Sequence, residues 1–182
     1  MKILSFNCKG MASPEKKLAL KRLLLSDLVD VILLQETLCK AEVVIPILSS
    51  WLPGWTFHAL NVSRRSGGIV VGFKQSTINL KNIWGGGGFL GADIYSKDLE
   101  EELRIINVYG PCHNRELFWR RLLSSPLLLE DNVILGGDLN FSLGFSESWG
   151  HIAQIDPLSD FFEHLLENFL WIDIPSAKIK HT

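Results

Sequence analysis

The chain has 182 residues, 47% hydrophobic and 21% charged, with a formal net charge of −2. That size and balance fit one globular domain, and they exclude a disordered chain and a protein that coats nucleic acid by bulk positive charge. No apolar run reaches the roughly 18 residues of a membrane span, and Met1-Lys2-Ile3-Leu4-Ser5-Phe6-Asn7 lacks the apolar stretch and cleavage site of a signal peptide. Cys8, Cys39 and Cys112 are odd in number and far apart. They read as free thiols, so the protein is expected to be intracellular and not secreted.

In chain order, Lys2 to Asn7 reads as a strand. Ser13-Pro14 pairs an N-cap with proline at the first helical position, and the helix that follows sets Leu20, Leu23, Leu24 and Leu28 on one face. Asp30 to Gln35 contains Val-Ile-Leu-Leu, a strand buried on both sides. A helix over Glu42 to Ser50 is weakened by Pro46. Five strand-like runs follow: Trp55 to Leu60, Gly68 to Phe73, Thr77 to Ile83, Phe89 to Tyr95 and Leu103 to Tyr109. Ser63 to Gly67 is read as the turn joining the first two. Gly85 to Gly88 reads as a mobile loop, and without a following Lys-Ser/Thr and helix it is not a phosphate-binding loop. Asn114 can cap a helix running to about Leu123, and Asn132 to Leu135 is a buried strand ending in Gly136-Gly137-Asp138. Asp156-Pro157 opens a helix with Leu158, Phe161, Phe162, Leu165, Leu166, Phe169 and Leu170 at helical spacing. Strands in direct succession do not suit a single doubly wound sheet; two packed sheets with outer helices do.

Polar residues collect where apolar strands stop: Asn7, Gln35 with Glu36, Asn107 with Tyr109, and Asp138 with Asn140. A polar group at the end of a buried strand is costly unless it has a partner. Strand ends are also rigid places to hold a site. Singly, each has a plain reading as a solvated strand end or a turn.

Jointly, five pieces resemble the endonuclease/exonuclease/phosphatase superfamily, with its DNase-like fold. They are Ser5-Phe6-Asn7-Cys8-Lys9-Gly10, Leu33-Leu34-Gln35-Glu36-Thr37, Gly67-Gly68-Ile69-Val70-Val71, Ile106-Asn107-Val108-Tyr109-Gly110-Pro111 and Leu135-Gly136-Gly137-Asp138-Leu139-Asn140. Their wording looks most like the endonuclease domain of plant-type LINE retrotransposons. The resemblance implies an α/β fold, a four-layer α/β/β/α sandwich incomplete at its C-terminal end, with residues 1–182 as one domain. It also implies a DNA-nicking phosphodiesterase using Mg2+ or Mn2+, with DNA as substrate and a reverse transcriptase domain downstream.

Such hydrolysis needs a hard cation, an oriented water and support for negative charge. By resemblance, Glu36 binds the metal, Asn7 lies beside it, and Asp138 orients or deprotonates the water. Asn140 and Tyr109 contact the phosphate. Thr182 matches a hydroxyl opening the family's next strand. Lys9 stands where repair enzymes of the family carry an acid; it cannot ligate a metal but can meet a phosphate. Arg64 and Arg65 lie in a turn that could add phosphate contacts. The family's later Ser-Asp-His piece has no counterpart in these residues, and His181 reads as a tail residue. Activity is therefore expected to be impaired. His58, His113, His151 and His164 lack zinc spacing. A phosphatase of a small molecule or lipid is the alternative within the superfamily. A catalytically dead fragment or binding module is the alternative outside it.

Overall fold

The computed structural model describes residues 1–26, 28–61, 67–128, 132–142 and 156–174. Two compact units are present, Met1–Asn140 and Phe141–Thr182. In the first, β1 (Ile3–Asn7) runs parallel to β2 (Val31–Gln35), in register from Ile3↔Val31 to Asn7↔Gln35. β3 (Trp55–Leu60) and β4 (Ile69–Lys74) complete this sheet antiparallel, in the order β1-β2-β4-β3. The second sheet is β5 (Ile78–Gly86), β6 (Phe89–Ser96), β7 (Glu101–Tyr109) and β8 (Val133–Asp138), in chain order, with β8 parallel to β7.

Each sheet buries both faces of its central strands, as their near-continuous apolar runs require. Ile32, Leu34, Val70 and Phe57 pack with Leu20 and Leu24 of α1 (Pro14–Ser26) and Val44 and Leu48 of α2 (Ala41–Trp51). Val31, Leu33, Val71 and Phe73 turn the other way and meet Leu90, Ala92, Ile94, Leu103 and Ile105 of the second sheet. Ile106 and Val108 are buried on the far face of that sheet, which α3 (Arg115–Leu123) flanks with Trp119, Leu122 and Leu123 buried. This is the α/β/β/α sandwich expected from the sequence. In the second unit α4 (Ser159–Asn168) stacks Phe162 on Phe141, ring centroids 3.6 Å apart. Among the described residues no helix is long and apolar enough to cross a membrane.

Local differences have identifiable causes. The Ser13 hydroxyl accepts from Lys16 N–H at 3.3 Å, so the expected cap forms. The helix stops at Ser26, however, and Leu28 lies 88% exposed beyond it. Pro46 sits inside α2, which continues to Trp51. The tetraglycine is no loose loop: β5 runs through Gly86, which pairs with Phe89, leaving a two-residue turn. Gly87 and Gly88 both have positive φ, +60° and +104°, the requirement of a tight type I′ hairpin. Asn114 precedes α3 as expected but makes no side-chain cap bond. Asp156 does accept from Leu158 N–H at 2.9 Å, and α4 begins three residues after it. The apolar period overruns the end of α4: Leu170 is 88% exposed.

Gly137 has φ +130°, and a Cβ there would lie 2.0 Å from the Val108 carbonyl oxygen. Gly137→Ala is therefore expected to cost about 3 kcal/mol, the upper end for strained backbone. Thermal unfolding should show a midpoint lower by roughly 6–12 °C. An unchanged midpoint would mean that β7 and β8 do not approach so closely.

Candidate active site

Side chains alternate along a strand, so position and face are set together. Ile3 and Ser5 lead to Asn7, Leu103 and Ile105 to Asn107 and Tyr109, and Ile134 and Gly136 to Asp138. Since Ile3, Leu103, Ile105 and Ile134 pack between the sheets, Asn7, Tyr109 and Asp138 emerge between them at one end. The register agrees: Asn7 pairs with Gln35, and Tyr109 with Asp138. Glu36 follows Gln35 directly but has φ +49°. Thr37 N–H and Leu38 N–H bond the Gly68 and Gly67 carbonyls, one residue out of step with Leu34↔Val70, and Glu36 takes up the extra residue. Such a bulge re-aims a side chain.

The result is one polar cluster. The Asn7 amide nitrogen donates to Glu36 Oε1 at 3.1 Å and to Asp138 Oδ2 at 2.5 Å. Its oxygen accepts from Lys9 N–H at 2.9 Å, which fixes the amide's orientation. Asn140 N–H donates to Asp138 Oδ1 at 3.3 Å, and the Asn140 side chain donates to the Gly110 carbonyl. Arg115 Nη1 donates to the Asn140 carbonyl at 2.9 Å. Lys9, Glu36, Leu38 and Asn140 all have positive φ, a concentration of backbone strain of the kind found at working sites. Burial first, then a hydrogen bond to Glu36, hold the Tyr109 phenol well above its ordinary range, so it stays protonated and able to donate.

Cys8 lies beside this cluster, and burial pushes its thiol up to about 12, with further contributions from Cys39 and Glu36. The thiolate is the reactive form. Iodoacetamide at neutral pH should therefore label exposed Cys112 first and Cys8 last. Rapid labelling of Cys8 in the folded protein would contradict this burial.

Of the residues singled out in the sequence, Asn7, Glu36, Tyr109, Asp138 and Asn140 come together, and Lys9 stands exposed at the rim. Arg64, Arg65, His151, His181 and Thr182 lie outside the described residues. The roles of three residues were missed. Arg115 carries no signal beyond an ordinary helix start. Gln35 and Asn107 stood out only as polar ends of apolar runs. In the structure they are fully buried and bonded to each other across the sheets.

Among the described residues no group of three or more His, Cys, Asp and Glu side chains is placed to hold a metal. Two carboxylates with an amide and a phenol suit a hard cation that keeps several waters, as magnesium does.

Residues 4–155 match the Endonuclease/Exonuclease/phosphatase family. The chain belongs to this family. Among solved structures it is similar to the 3′ phosphatase NExo from Neisseria bound to a product DNA hairpin. The identity is 17% and the TM-score 0.69, over 92% of this chain and 70% of that one. It is similar to the AP endonuclease LMAP from Leishmania major at 15% identity and TM-score 0.67, over 92% and 66%. It is also similar to the human Nocturnin catalytic domain with bound sulfate at 15% identity and TM-score 0.60, over 77% and 64%. Against Nocturnin, the chain thus spans less than two thirds of the matched structure's length. At these identities the likeness speaks for the fold alone. No curated protein sequence matches the chain.

Proposed function

We propose that the chain is a divalent-cation-dependent phosphodiester hydrolase that nicks DNA, of the LINE retroelement type. The observation that carries this reading is the Asn7 amide bridging Glu36 and Asp138, carboxylates from two different sheets. Two acids held this close to one neutral donor favour a cation and a phosphate over an uncharged substrate. Glu36 would hold Mg2+ or Mn2+ with Asn7 beside it, and the cation would supply charge neutralisation at the phosphate.

The chain's own residues supply the rest. Asp138, fixed by Asn7 and Asn140, is oriented to take a proton from an attacking water. Tyr109, kept protonated, donates to a phosphate oxygen. Asn140, braced by Arg115, supports the developing charge. Lys9 at the rim meets a neighbouring backbone phosphate. Two similar structures support a nucleic-acid substrate: one is named an AP endonuclease, and the other, a 3′ phosphatase, is bound to a DNA product. The wording of the motif pieces supports the retroelement type, in which a reverse transcriptase domain follows.

The test is plasmid nicking with magnesium, run on this chain and on a form extended by a strand bearing the family's Ser-Asp-His piece. Supercoiled DNA should become open circle only with the cation, and faster with the extended form. Release of phosphate from small phosphomonoesters without nicking by either form would replace this reading with a phosphatase.

A further inference from the structure

The site draws Asn7 and Glu36 from one sheet and Tyr109 and Asp138 from the other. Its geometry therefore depends on how the two sheets register at this end. Apolar packing alone sets a spacing but tolerates sliding; directional bonds do not. Immediately behind the site lies one such directional contact. Gln35 Nε2 donates to Asn107 Oδ1 at 2.7 Å, and both residues are at most 1% exposed. Asn107 Nδ2 in turn donates to the carbonyls of Leu34 at 3.1 Å and Val70 at 2.8 Å. Gln35 Nε2 also lies within reach of Leu33 O at 3.1 Å and Ser5 Oγ at 3.3 Å. Thus one side chain of β7 is tied to β2 and β4. Gln35 immediately precedes Glu36, and Asn107 lies two residues before Tyr109.

We propose that Gln35 and Asn107 are a positioning pair: a buried amide latch that sets the inter-sheet register on which the Asn7–Glu36–Asp138 cluster depends. The latch touches neither substrate nor cation. It acts through the residues next to it, by stopping β7 from sliding past β2. Leu34 and Val70 are register partners, so the Asn107 amide grips two adjacent strands at one level. The next rung of the first sheet carries Gln35↔Asn7, and in the second sheet Asn107 pairs with Gly136, two residues before Asp138. A purely stabilising polar pair could sit anywhere in the inter-sheet core. This one sits at the last rung before the site.

The inference rests on the reading of the cluster as one phosphodiester site, but its first test does not need a cation. In the metal-free chain, nuclear magnetic resonance should show slowly exchanging side-chain amide protons for Gln35 and Asn107. It should also show Asn7 amide signals displaced by the two carboxylates. In Gln35→Met/Asn107→Leu, the Asn7 signals should move to solvent-exposed values while the protein stays folded. If the double variant does not fold, Asn107→Leu decides, since it removes the bonds to Leu34, Val70 and Gln35 while Gln35 keeps those to Leu33 and Ser5. Mn2+ affinity should fall about 10–100-fold, the usual effect of removing groups behind a metal site. In nicking, kcat should fall far more than KM rises. A folded variant with unchanged Asn7 signals, or fast exchange of the two buried amides in the unaltered chain, would overturn the latch. No Mn2+ binding by the unaltered chain would instead count against the proposed function, leaving the Asn7 signals to judge the latch.

Discussion

Replacing Glu36 or Asp138 by alanine is expected to lower magnesium-dependent nicking by about 10²–10⁴-fold, the usual contribution of a positioned acid–base or charge-stabilising group. Neither change should unfold the protein. Both side chains are only partly buried, and their shared partner, Asn7, keeps its bond to Lys9 N–H. The two variants should differ in cation dependence. Glu36→Ala should need more Mg2+ to reach its residual rate. Asp138→Ala should bind the cation more nearly as before and fail in the chemical step. Steady-state rates across a magnesium series separate the two. Equal loss in both with no change in magnesium dependence would reassign Glu36 from cation holder to structural partner of Tyr109 and Asn7.

The second large effect concerns the core between the sheets. Phe73 is 1% exposed and packs where β4 faces the second sheet. Phe73→Ala should cost about 3–5 kcal/mol, because the rigid β-strands around it cannot collapse into the space. That corresponds to a thermal midpoint lower by roughly 6–20 °C. Leu28→Ala is the control: the side chain is 88% exposed, and the midpoint should barely move. A small effect at Phe73 would mean that the two sheets are not packed against each other there.

The strands were legible because their apolar runs are short, rich in Val, Ile and Leu, and closed by polar residues or glycine. Val31 to Gln35 and Ile69 to Lys74 were visible for that reason. Their pairing was not, since β1 beside β2 and β7 beside β8 are set by crossovers that no local pattern encodes. The overrun at Leu28 and Leu170 has one cause: helical spacing can continue in sequence after the chain has left the helix, as it does at Ser26 and Asn168. The tetraglycine misled because glycine suits both a loose loop and a tight hairpin, and only the pairing of Gly86 with Phe89 decides between them.

At the site, Asn7, Glu36, Tyr109, Asp138 and Asn140 were legible through the order of their motifs. The bonds that orient them were not. Asn7 presents its nitrogen to both acids because Lys9 N–H occupies its oxygen, a local turn invisible in composition. The bulge at Glu36, the Arg115 brace and the Gln35–Asn107 latch all depend on long-range contacts.

The central claim is that Glu36 and Asp138, 102 positions apart in the chain, act as one unit through Asn7. A double-mutant cycle of Glu36→Ala and Asp138→Ala, read by the first-order rate of plasmid nicking in saturating magnesium, tests it most directly. If the two act together, the double variant nicks no more than a few-fold slower than the slower single variant. If the losses multiply across the two positions, the carboxylates work independently and the single-site account is wrong.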